Sequence, residues 1–291
     1  MKCFDIQTKS ELAKLLAVGP FEIEHTILNR DRYYKVFRKK KKPSGAIRNI
    51  YEATGPLLLL QQKVKRHILD KVPSLPCAHG GVKGRSALTN AQPHVWKKIV
   101  FTLDVKNFFP SIGPSMVDAV FSALGFGPEA SKILVDITTR DSHLPQGFST
   151  SSGVANLAMT RVDVRLSTLA RNWGFDYTRF VDDLAISGSW RLLSFRNLIR
   201  RIVEDEGYQI NPNKIQTMDA GMRQVVAGIV VNAKLNLPRE KRNVIRTQAL
   251  RFVSTPKRLR RNINQLRGKL SWLSSVNPIL GKRLSERAGN P

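Results

Sequence analysis

The apolar and polar positions of this chain recur with two different periods, which predict where helices and strands lie. Apolar residues recur at helical spacing in several stretches. These stretches predict helices at about 10–16, 56–69, 114–124, 129–138, 152–171, 192–206 and 239–250. Pro56 stands in the first turn of the second helix, with Thr54 near its cap, as helix starts prefer.

Runs of β-branched and aromatic residues predict the strands. Two such runs lie at 33–39 and 47–51. A third, at 99–103, consists of apolar or β-branched residues in succession, which is typical of a buried strand. A fourth lies within 224–231, ahead of the last predicted helix. Helices and strands are therefore mixed along the chain.

Two adjacent aspartates, Asp182 and Asp183, stand between apolar residues on both sides. Neighbouring carboxylates in such a setting repel each other and lose hydration, and a pair of divalent cations is the usual compensation. Both flanks have strand character, which predicts that the pair occupies the tight turn of a β-hairpin. The alternative is a water-exposed Asp-Asp turn, which is common in proteins. The pair alone does not decide between the two.

A third acid, Asp104, stands where the buried strand at 99–103 ends, and two aromatic residues and Pro110 follow within a few positions. Carboxylates that are distant in sequence and meet at strand ends are what a two-metal phosphoryl-transfer site requires, with the ions about 3.5–4 Å apart. One metal would activate an attacking hydroxyl, and the other would steady a leaving pyrophosphate. Asp104 together with the aspartate pair predicts such a site.

The segment 144–157 contains a glycine and a run of hydroxyl residues ahead of a helix. Gly147 permits close backbone approach, and the hydroxyls either cap the helix or donate beneath a base pair. An ordinary helix entry rich in serine and threonine is the alternative. Further on, Lys214 follows an Asn-Pro turn, where it either approaches a polyphosphate or is simply solvated.

In this order, the segments resemble the palm of reverse transcriptases, and the match extends over nearly the whole chain. The resemblance implies that Asp104, Asp182 and Asp183 are the catalytic acids and the ligands of two Mg²⁺ ions. It implies that Lys214 assists the departure of pyrophosphate as a general acid. Phe109 falls at the aromatic position that blocks a 2′-hydroxyl and so favours deoxynucleotides.

Further substrate contacts follow from the same resemblance. Val181 lies in the sequence Phe-Val-Asp-Asp, which is similar to the Tyr-x-Asp-Asp box of the family. Gln146 and Gly147 match the template–primer grip. Basic residues of a fingers hairpin, Arg48 and a lysine such as Lys40, would hold the incoming triphosphate.

Two short elements resemble retron reverse transcriptases in particular. Asn90 and His94 match the Asn-Ala-x-x-His element of those enzymes and would bind RNA, with a buried structural role as the alternative for His94. Val226 and Gly228 match their Val-Thr-Gly element at the entry to an RNA-recognising thumb, with Ala227 in place of threonine. RNA binding is also predicted for a basic run in the same thumb, namely Lys257, Arg258, Arg260 and Arg261.

The resemblance implies an α+β fold of the right-hand polymerase type. Fingers would span 1–98 with an insertion at 113–144, the palm would span 99–112 and 145–222, and a helical, RNA-binding thumb would span 223–291. The palm would contain a ferredoxin-like antiparallel sheet.

The resemblance also implies an activity and its partners. The enzyme would be an RNA-directed DNA polymerase that uses deoxynucleotides to copy part of a dedicated structured non-coding RNA. That RNA would serve as template and primer, and the product would be a small DNA joined to RNA (msDNA). The family context is bacterial antiphage defence, usually with an effector protein from the same locus. Three alternatives stay open: a group II intron-like enzyme, another defence-associated reverse transcriptase, and an RNA-binding scaffold with a polymerase fold.

The composition agrees with a polyanionic partner. The chain has 48 Lys and Arg against 22 Asp and Glu, a formal charge of +26, which predicts salt-dependent binding to nucleic acid. It has no apolar stretch of about 18 residues and no signal-peptide core, so we expect a protein of the bacterial cytoplasm without a membrane partner. Its two cysteines, Cys3 and Cys77, are isolated from each other, which argues against a disulfide framework or a zinc site.

Overall fold

The computed structural model of the chain describes residues 2–40, 47–254 and 263–288. The chain begins with α1 (Lys9–Leu16), α2 (Pro20–Leu28), β1 (Tyr34–Lys40), β2 (Ile47–Ala53) and α3 (Gly55–His67). It continues with α4 (Ala87–Ala91), β3 (Ile99–Asp104), α5 (Phe108–Ser111), α6 (Pro114–Leu124) and α7 (Pro128–Thr138). The middle part contains α8 (Ser151–Ala158), α9 (Thr160–Trp173), β4 (Asp176–Phe180), β5 (Asp183–Gly188), α10 (Leu192–Asp205) and β6 (Gln216–Asp219). The last elements are β7 (Val225–Val226), β8 (Ile229–Val230), α11 (Arg239–Ser254), α12 (Ile263–Val276) and α13 (Pro278–Arg287).

The central sheet is antiparallel, with the strand order β4–β5–β3–β6. Successive residues of β3 point to opposite faces of this sheet. Phe101 and Leu103 face a large hydrophobic core, whereas Val100 faces a second, smaller core. Because β3 pairs on both edges and is covered on both faces, its unbroken apolar sequence is explained.

Helices α9 and α10 cover the face of the sheet that carries the large core. Helix α10 buries Leu192, Ile199 and Val203, and α9 buries Val162 and Leu166, at the spacing of a single helix face. Each such side chain contributes roughly 1.5–3 kcal/mol when it is removed from water. The large core therefore joins these two helices to the central sheet.

The β1–β2 hairpin projects from the body of the protein. Its outer residues, Val36–Lys40 and Ile47–Asn49, are all exposed, whereas Tyr51 at its base is buried. Helices α1, α2, α3 and α7 pack against one another beneath the hairpin. Within the described residues, the hairpin is therefore buried at its base and exposed along its outer part.

The structure differs from the predicted elements in a few places. The helix predicted at 152–171 is two helices, α8 and α9, because Met159 between them has a ψ of −3°, far from the helical value. The sequence pattern did not reveal α2, α4, α5, β6, α12 or α13. Helix α4 has five residues and β6 has four, too few for a period to emerge.

The longest described helix, α11, has 16 residues. Among the helices of the described ranges, none combines the length and the apolar character that crossing a membrane requires.

Candidate active site

Three carboxylates meet at one end of the central sheet. Asp104 is the last residue of β3, and the sheet register places it opposite Asp183, the first residue of β5. Asp182 lies beside them in the turn between β4 and β5. One oxygen of each carboxylate lies within 4.8 Å of the others, and the described ranges contain no second cluster of three potential metal ligands. The structure therefore brings together the three acids that the sequence singled out.

The turn that carries Asp182 is tight and strained. Strand β4 ends at Phe180 and β5 begins at Asp183, so the tight hairpin turn that the sequence predicted is present, but Val181 and Asp182 form it and Asp183 belongs to β5. Val181 has a φ of 61°, a left-handed conformation that is costly for a β-branched residue. The carbonyl of Asp182 accepts a hydrogen bond of 3.0 Å from the N–H of Val105. This contact fixes the turn against the end of β3.

The crowding of like charges changes the acidity of these groups. Burial raises the pKa of Asp183 to about 7, and the charges of Asp182 and Asp104 add to this effect. Burial and the charge of Asp104 also raise the pKa of Asp182, although Lys214 and Arg48 act in the opposite direction. Divalent cations prefer carboxylate oxygens and would relieve the repulsion. The donor set therefore fits the divalent metal ions on which the activity predicted for this site depends.

Lys214 lies against the acids. It ends a 3₁₀ turn over Pro212–Lys214, and its Nζ lies 2.5 Å from Oδ2 of Asp104. Desolvation alone would lower its pKa, but the hydrogen bond and the charge of Asp104 outweigh it and raise the pKa above the ordinary value. Lys214 is therefore protonated at neutral pH, as a general acid must be before it acts.

The predicted grip residues lie against the β1–β2 hairpin. The carbonyl of Gln146 accepts a hydrogen bond of 2.8 Å from the N–H of Tyr51. Gly147 has a φ of 116°, and a Cβ atom at this position would lie 2.4 Å from the carbonyl oxygen of Tyr51. The close backbone approach predicted at Gly147 is therefore present, and β2 is the partner.

The hairpin presents the predicted triphosphate contacts. Arg48 and Lys40 are exposed on its two strands. Arg48 is close enough to the acids for its charge to lower the pKa of Asp182. Residues 41–46, which include Lys41 and Lys42, lie outside the described residues, whereas Lys39 is exposed on β1.

Phe109 lies in the short helix α5, directly after β3. Its ring packs against that of Phe108 at 5.4 Å between centroids and is half-buried. Phe108 belongs to the large core and so fixes the position of its neighbour. Helix α5 starts after Asn107, whose φ is 51°, a conformation that asparagine tolerates better than most residues. Phe109 is thus held a few residues beyond Asp104.

The two elements that resemble retron enzymes border one pocket. Asn90, Val226 and Gly228 line a cavity of about 260 Å³ between α4 and the β7–β8 hairpin. The same cavity is lined by three residues of the acidic site, Asp104, Asp183 and Lys214. Elements that are far apart in sequence therefore enclose the space beside the acids.

His94 does not line this pocket. Its side chain is fully buried, with Nδ1 2.6 Å from Oγ of Ser187 and Nε2 2.7 Å from Oγ1 of Thr178. Burial lowers its pKa to about 4, so the ring is neutral at pH 7. A fully buried ring is not accessible to RNA. The predicted RNA contact of His94 is therefore corrected to a structural role, the alternative that the sequence left open.

The predicted basic run of the thumb lies outside the described residues. It consists of Lys257, Arg258, Arg260 and Arg261. The helices on either side of it are described, and α12 packs against α11 and α13. Trp272 of α12 packs partly into the second core, with Nζ of Lys241 5.4 Å from its ring centroid.

The sequence pattern did not reveal a buried ion pair beside the turn. Arg179 of β4 and Asp163 of α9 are both fully buried, with 2.7 Å between Nη2 and Oδ2. Nη1 of the same guanidinium donates to the carbonyl of Val181 at 2.9 Å and to Oδ1 of Asn156 at 3.0 Å. The only available signal was an arginine between Thr178 and Phe180 in a strand that leads into the aspartate turn, where a buried charge must find a partner.

Comparisons with known proteins agree with this geometry. The family described as "Reverse transcriptase (RNA-dependent DNA polymerase)" matches residues 39–253. The chain is 33% identical to the retron Mx65 reverse transcriptase of Myxococcus xanthus, over 97% of this chain and 71% of that protein. It is 31% identical to the retron Ec86 reverse transcriptase of Escherichia coli, over 94% of this chain and 86% of that protein.

The fold is also similar to that of a solved telomerase. The structure of telomerase from Candida albicans, in complex with a fragment of telomeric RNA, matches 87% of this chain with a TM-score of 0.52 and 10% identity. This chain spans 56% of the length of that telomerase chain. At this level of identity the likeness concerns the fold alone, and it confirms the predicted α+β right-hand polymerase architecture.

Proposed function

The chain belongs to the reverse transcriptase family as an RNA-directed DNA polymerase similar to those of retrons, and from this premise we propose how its residues divide the reaction among them. The observation that carries the proposal is the convergence of Asp104, Asp182 and Asp183 beside Lys214. Carboxylates from two strand ends and a protonated lysine are the groups that nucleotidyl transfer requires.

The three acids hold the divalent metal, for which we propose two Mg²⁺ ions. Ions bound there would lower the pKa of the primer hydroxyl and neutralise charge on the reacting phosphate. The protein keeps Asp104 at a strand end and Asp182 in a fixed turn, so the ligands need no rearrangement during the reaction. Lys214 leaves Asp104 for the pyrophosphate and gives up its proton as the pyrophosphate departs.

The hairpin and the segment after β3 select the nucleotide. Arg48 and Lys40 neutralise the triphosphate, since both are exposed on the hairpin and Arg48 is electrostatically coupled to the acids. Phe109 blocks the 2′-hydroxyl of a ribonucleotide. The template and the primer end are supported by the grip loop and the turn, namely Gln146, Gly147 and Val181.

The nucleic-acid partner is a dedicated structured non-coding RNA that serves as both template and primer. RNA contacts Gly228, which is partly exposed at the pocket beside the acids, whereas Asn90 and Val226, for which RNA contact was also predicted, are nearly as buried as His94 and form the wall of that pocket. The similarity to two retron enzymes and the formal charge of +26 support this partner. The product is a small DNA joined to RNA (msDNA), made in the bacterial cytoplasm as part of an antiphage system with an effector protein.

The polymerase divides into the three parts named from the sequence. Residues 1–98 and 113–144 form the fingers, 99–112 and 145–222 form the palm, and 223–291 form an RNA-binding thumb. All four strands of the central sheet lie within the proposed palm, which supports this division.

The test is the nucleic acid that copurifies with the protein when it is expressed from its native locus. Wild type, Asp182→Asn and a surface control, Asp5→Asn, are compared on a denaturing gel with and without ribonuclease. We expect a discrete species that shortens but persists after ribonuclease in wild type and control, and no such species in Asp182→Asn.

Material that ribonuclease destroys completely in all three samples would contradict the retron product. Primer extension on a generic RNA template then separates the two remaining cases. Extension by wild type and not by Asp182→Asn indicates a reverse transcriptase that uses another template. No extension by either indicates an RNA-binding scaffold.

A further inference from the structure

We propose that Arg179 is a positioning residue of the catalytic centre, whose guanidinium ties the turn carrying Asp182 to helices α8 and α9. Arg179 lies three residues before Asp182, in the last part of β4. It points away from the site of the reaction and contacts no acid of the metal cluster directly in the described structure. Its influence is therefore exerted through the backbone of the turn.

The guanidinium uses all of its nitrogens. Nε and Nη2 donate to the two carboxylate oxygens of Asp163 at 2.9 Å and 2.7 Å, which is the paired geometry that arginine favours. Nη1 points the other way and donates to the carbonyl of Val181 and to Oδ1 of Asn156. The carboxylate of Asp163 in α9 thus fixes one side of the guanidinium, and the other side binds the carbonyl of Val181 in the turn.

The turn needs such support because it is strained. Val181 adopts a left-handed φ that is unfavourable for a β-branched residue and persists only where surrounding contacts impose it. Both carbonyls of the turn are held by hydrogen bonds: that of Val181 by Arg179, and that of Asp182 by the N–H of Val105. The two anchors come from opposite sides and restrict rotation of the peptide between them.

The same hydrogen-bond network reaches helix α8 and the loop that contains Gly80. Asn156 of α8 accepts from Arg179 and donates through Nδ2 to the carbonyl of Gly80 at 3.0 Å. Gly80 packs so closely on the turn that a Cβ atom there would lie 2.4 Å from the backbone nitrogen of Val181. A displacement of helix α8 would therefore be transmitted to the turn that carries Asp182.

Stability alone does not account for this arrangement. A buried ion pair contributes little net stability compared with apolar side chains of similar size, because both charges lose their hydration. A lysine would also neutralise Asp163, but its ammonium group cannot hold Asp163 and the carbonyl of Val181 at once. The planar guanidinium of an arginine supplies both contacts. This indicates that the role of Arg179 is to position the turn.

Arg179→Lys tests the proposal, because it keeps the charge opposite Asp163 and removes the contact with Val181. We expect the variant to fold, with Mn²⁺ binding weakened about 10-fold and kcat reduced about 10–100-fold, the range for residues that orient metal ligands. KM for the deoxynucleotide should stay within about twofold, since the nucleotide contacts are untouched. Mn²⁺ affinity is measured by titration calorimetry without nucleic acid, and kcat on a primed RNA template.

Arg165→Lys is the matched control. Arg165 also bridges two acids, Asp205 and Glu206, but it lies on the surface between α9 and α10, away from the turn. Its replacement should leave Mn²⁺ binding and kcat unchanged. An effect of equal size in both variants would mean that the loss comes from helix packing in general and would overturn the proposal.

Asn156→Ala decides the question if Arg179→Lys does not fold, because it leaves the buried ion pair intact. It removes the hydrogen bonds to Arg179 and to Gly80. As in Arg179→Lys, we expect both the Mn²⁺ affinity and kcat to decrease, here by about threefold to tenfold. Amide hydrogen exchange of the peptide that contains residues 180–183 should become faster. Wild-type Mn²⁺ affinity, kcat and exchange in folded Asn156→Ala would refute the positioning role.

Discussion

Lys214 and Asp104 form an ion pair in which Nζ and Oδ2 are 2.5 Å apart. The carboxylate is nearly buried, whereas the lysine side chain is 58% exposed, so the lysine is the partner that is free to move. A divalent ion bound by Asp104 would compete with Lys214 for this carboxylate. Metal binding and release of the lysine toward the pyrophosphate are therefore linked.

Lys214→Gln should affect catalysis and metal binding in opposite directions. Loss of a general acid lowers kcat by about 100-fold or more, whereas loss of the competing ammonium group strengthens the binding of Mn²⁺ to the acids. The two quantities are measured by primer extension and by titration calorimetry. Lys132→Gln, an exposed lysine on α7, should change neither. Unchanged kcat in Lys214→Gln would exclude the role of Lys214 as an acid.

His94 should make the protein sensitive to mild acid. Its pKa in the folded state is about 4, below the ordinary value of 6.5, so the unfolded chain takes up the proton first. The stability that depends on neutral His94 is complete above pH 6.5 and is lost as the pH falls toward 4. At roughly 1.4 kcal/mol for each pH unit, the total loss is about 3 kcal/mol.

Urea unfolding at pH 7, 6 and 5 checks this expectation. His94→Gln should be less stable than wild type at pH 7, because the contacts with Ser187 and Thr178 are altered, but its stability should decline less between pH 7 and 5. His25→Gln, at an exposed histidine, should retain the slope of the wild type. Equal slopes in all three proteins would show that His94 is not the group that titrates.

Phe109→Ala should weaken the discrimination against ribonucleotides. Removal of the ring leaves room for a 2′-hydroxyl, and we expect the ratio of kcat/KM for deoxynucleotide over ribonucleotide to fall on the order of 100-fold. Steady-state incorporation of both nucleotides on one RNA template measures the ratio. Phe195→Ala, which removes a half-buried ring on α10, should reduce stability and leave the ratio intact. If Phe109→Ala keeps the wild-type ratio, a residue other than Phe109 discriminates against the 2′-hydroxyl.

Gly147→Ala should be more harmful than an alanine at another left-handed glycine. Gly147 and Gly174 both have a positive φ, which costs an alanine about 1–2 kcal/mol. Only at Gly147 would the new Cβ atom also meet backbone, at 2.4 Å from the carbonyl of Tyr51, whereas Gly174 has open space around it. Thermal unfolding should show the larger loss for Gly147→Ala, together with weaker template–primer binding. Equal losses of stability in the two variants would mean that the loop around Gly147 can shift to accommodate the new Cβ atom without displacing β2.

The sequence by itself determined the features that depend on residues close together in the chain. The apolar run before Asp104 is long enough for a doubly covered strand, and the apolar flanks of Asp182 and Asp183 leave space only for a tight turn. The strand and the tight turn are both present, because strand period and turn length are properties of neighbouring residues, but the turn lies one residue earlier, at Val181 and Asp182, and Asp183 begins β5. The order of these segments was sufficient to indicate the polymerase fold.

Only the tertiary structure decided which distant residues meet. Asn90 and His94 belong to one short element, yet Asn90 lines the pocket beside the acids and His94 is enclosed under the sheet with two hydroxyls. Arg179 and Asp163 gave no signal of their pairing, since β4 also contains Asp176 and α9 also contains Arg161 and Arg165, and the sequence does not show which of these charges is buried. Periodicity shows which side chains turn inward, but the partner of a buried polar group depends on how the segments pack. That packing joins the turn of Asp182 to helices α8 and α9.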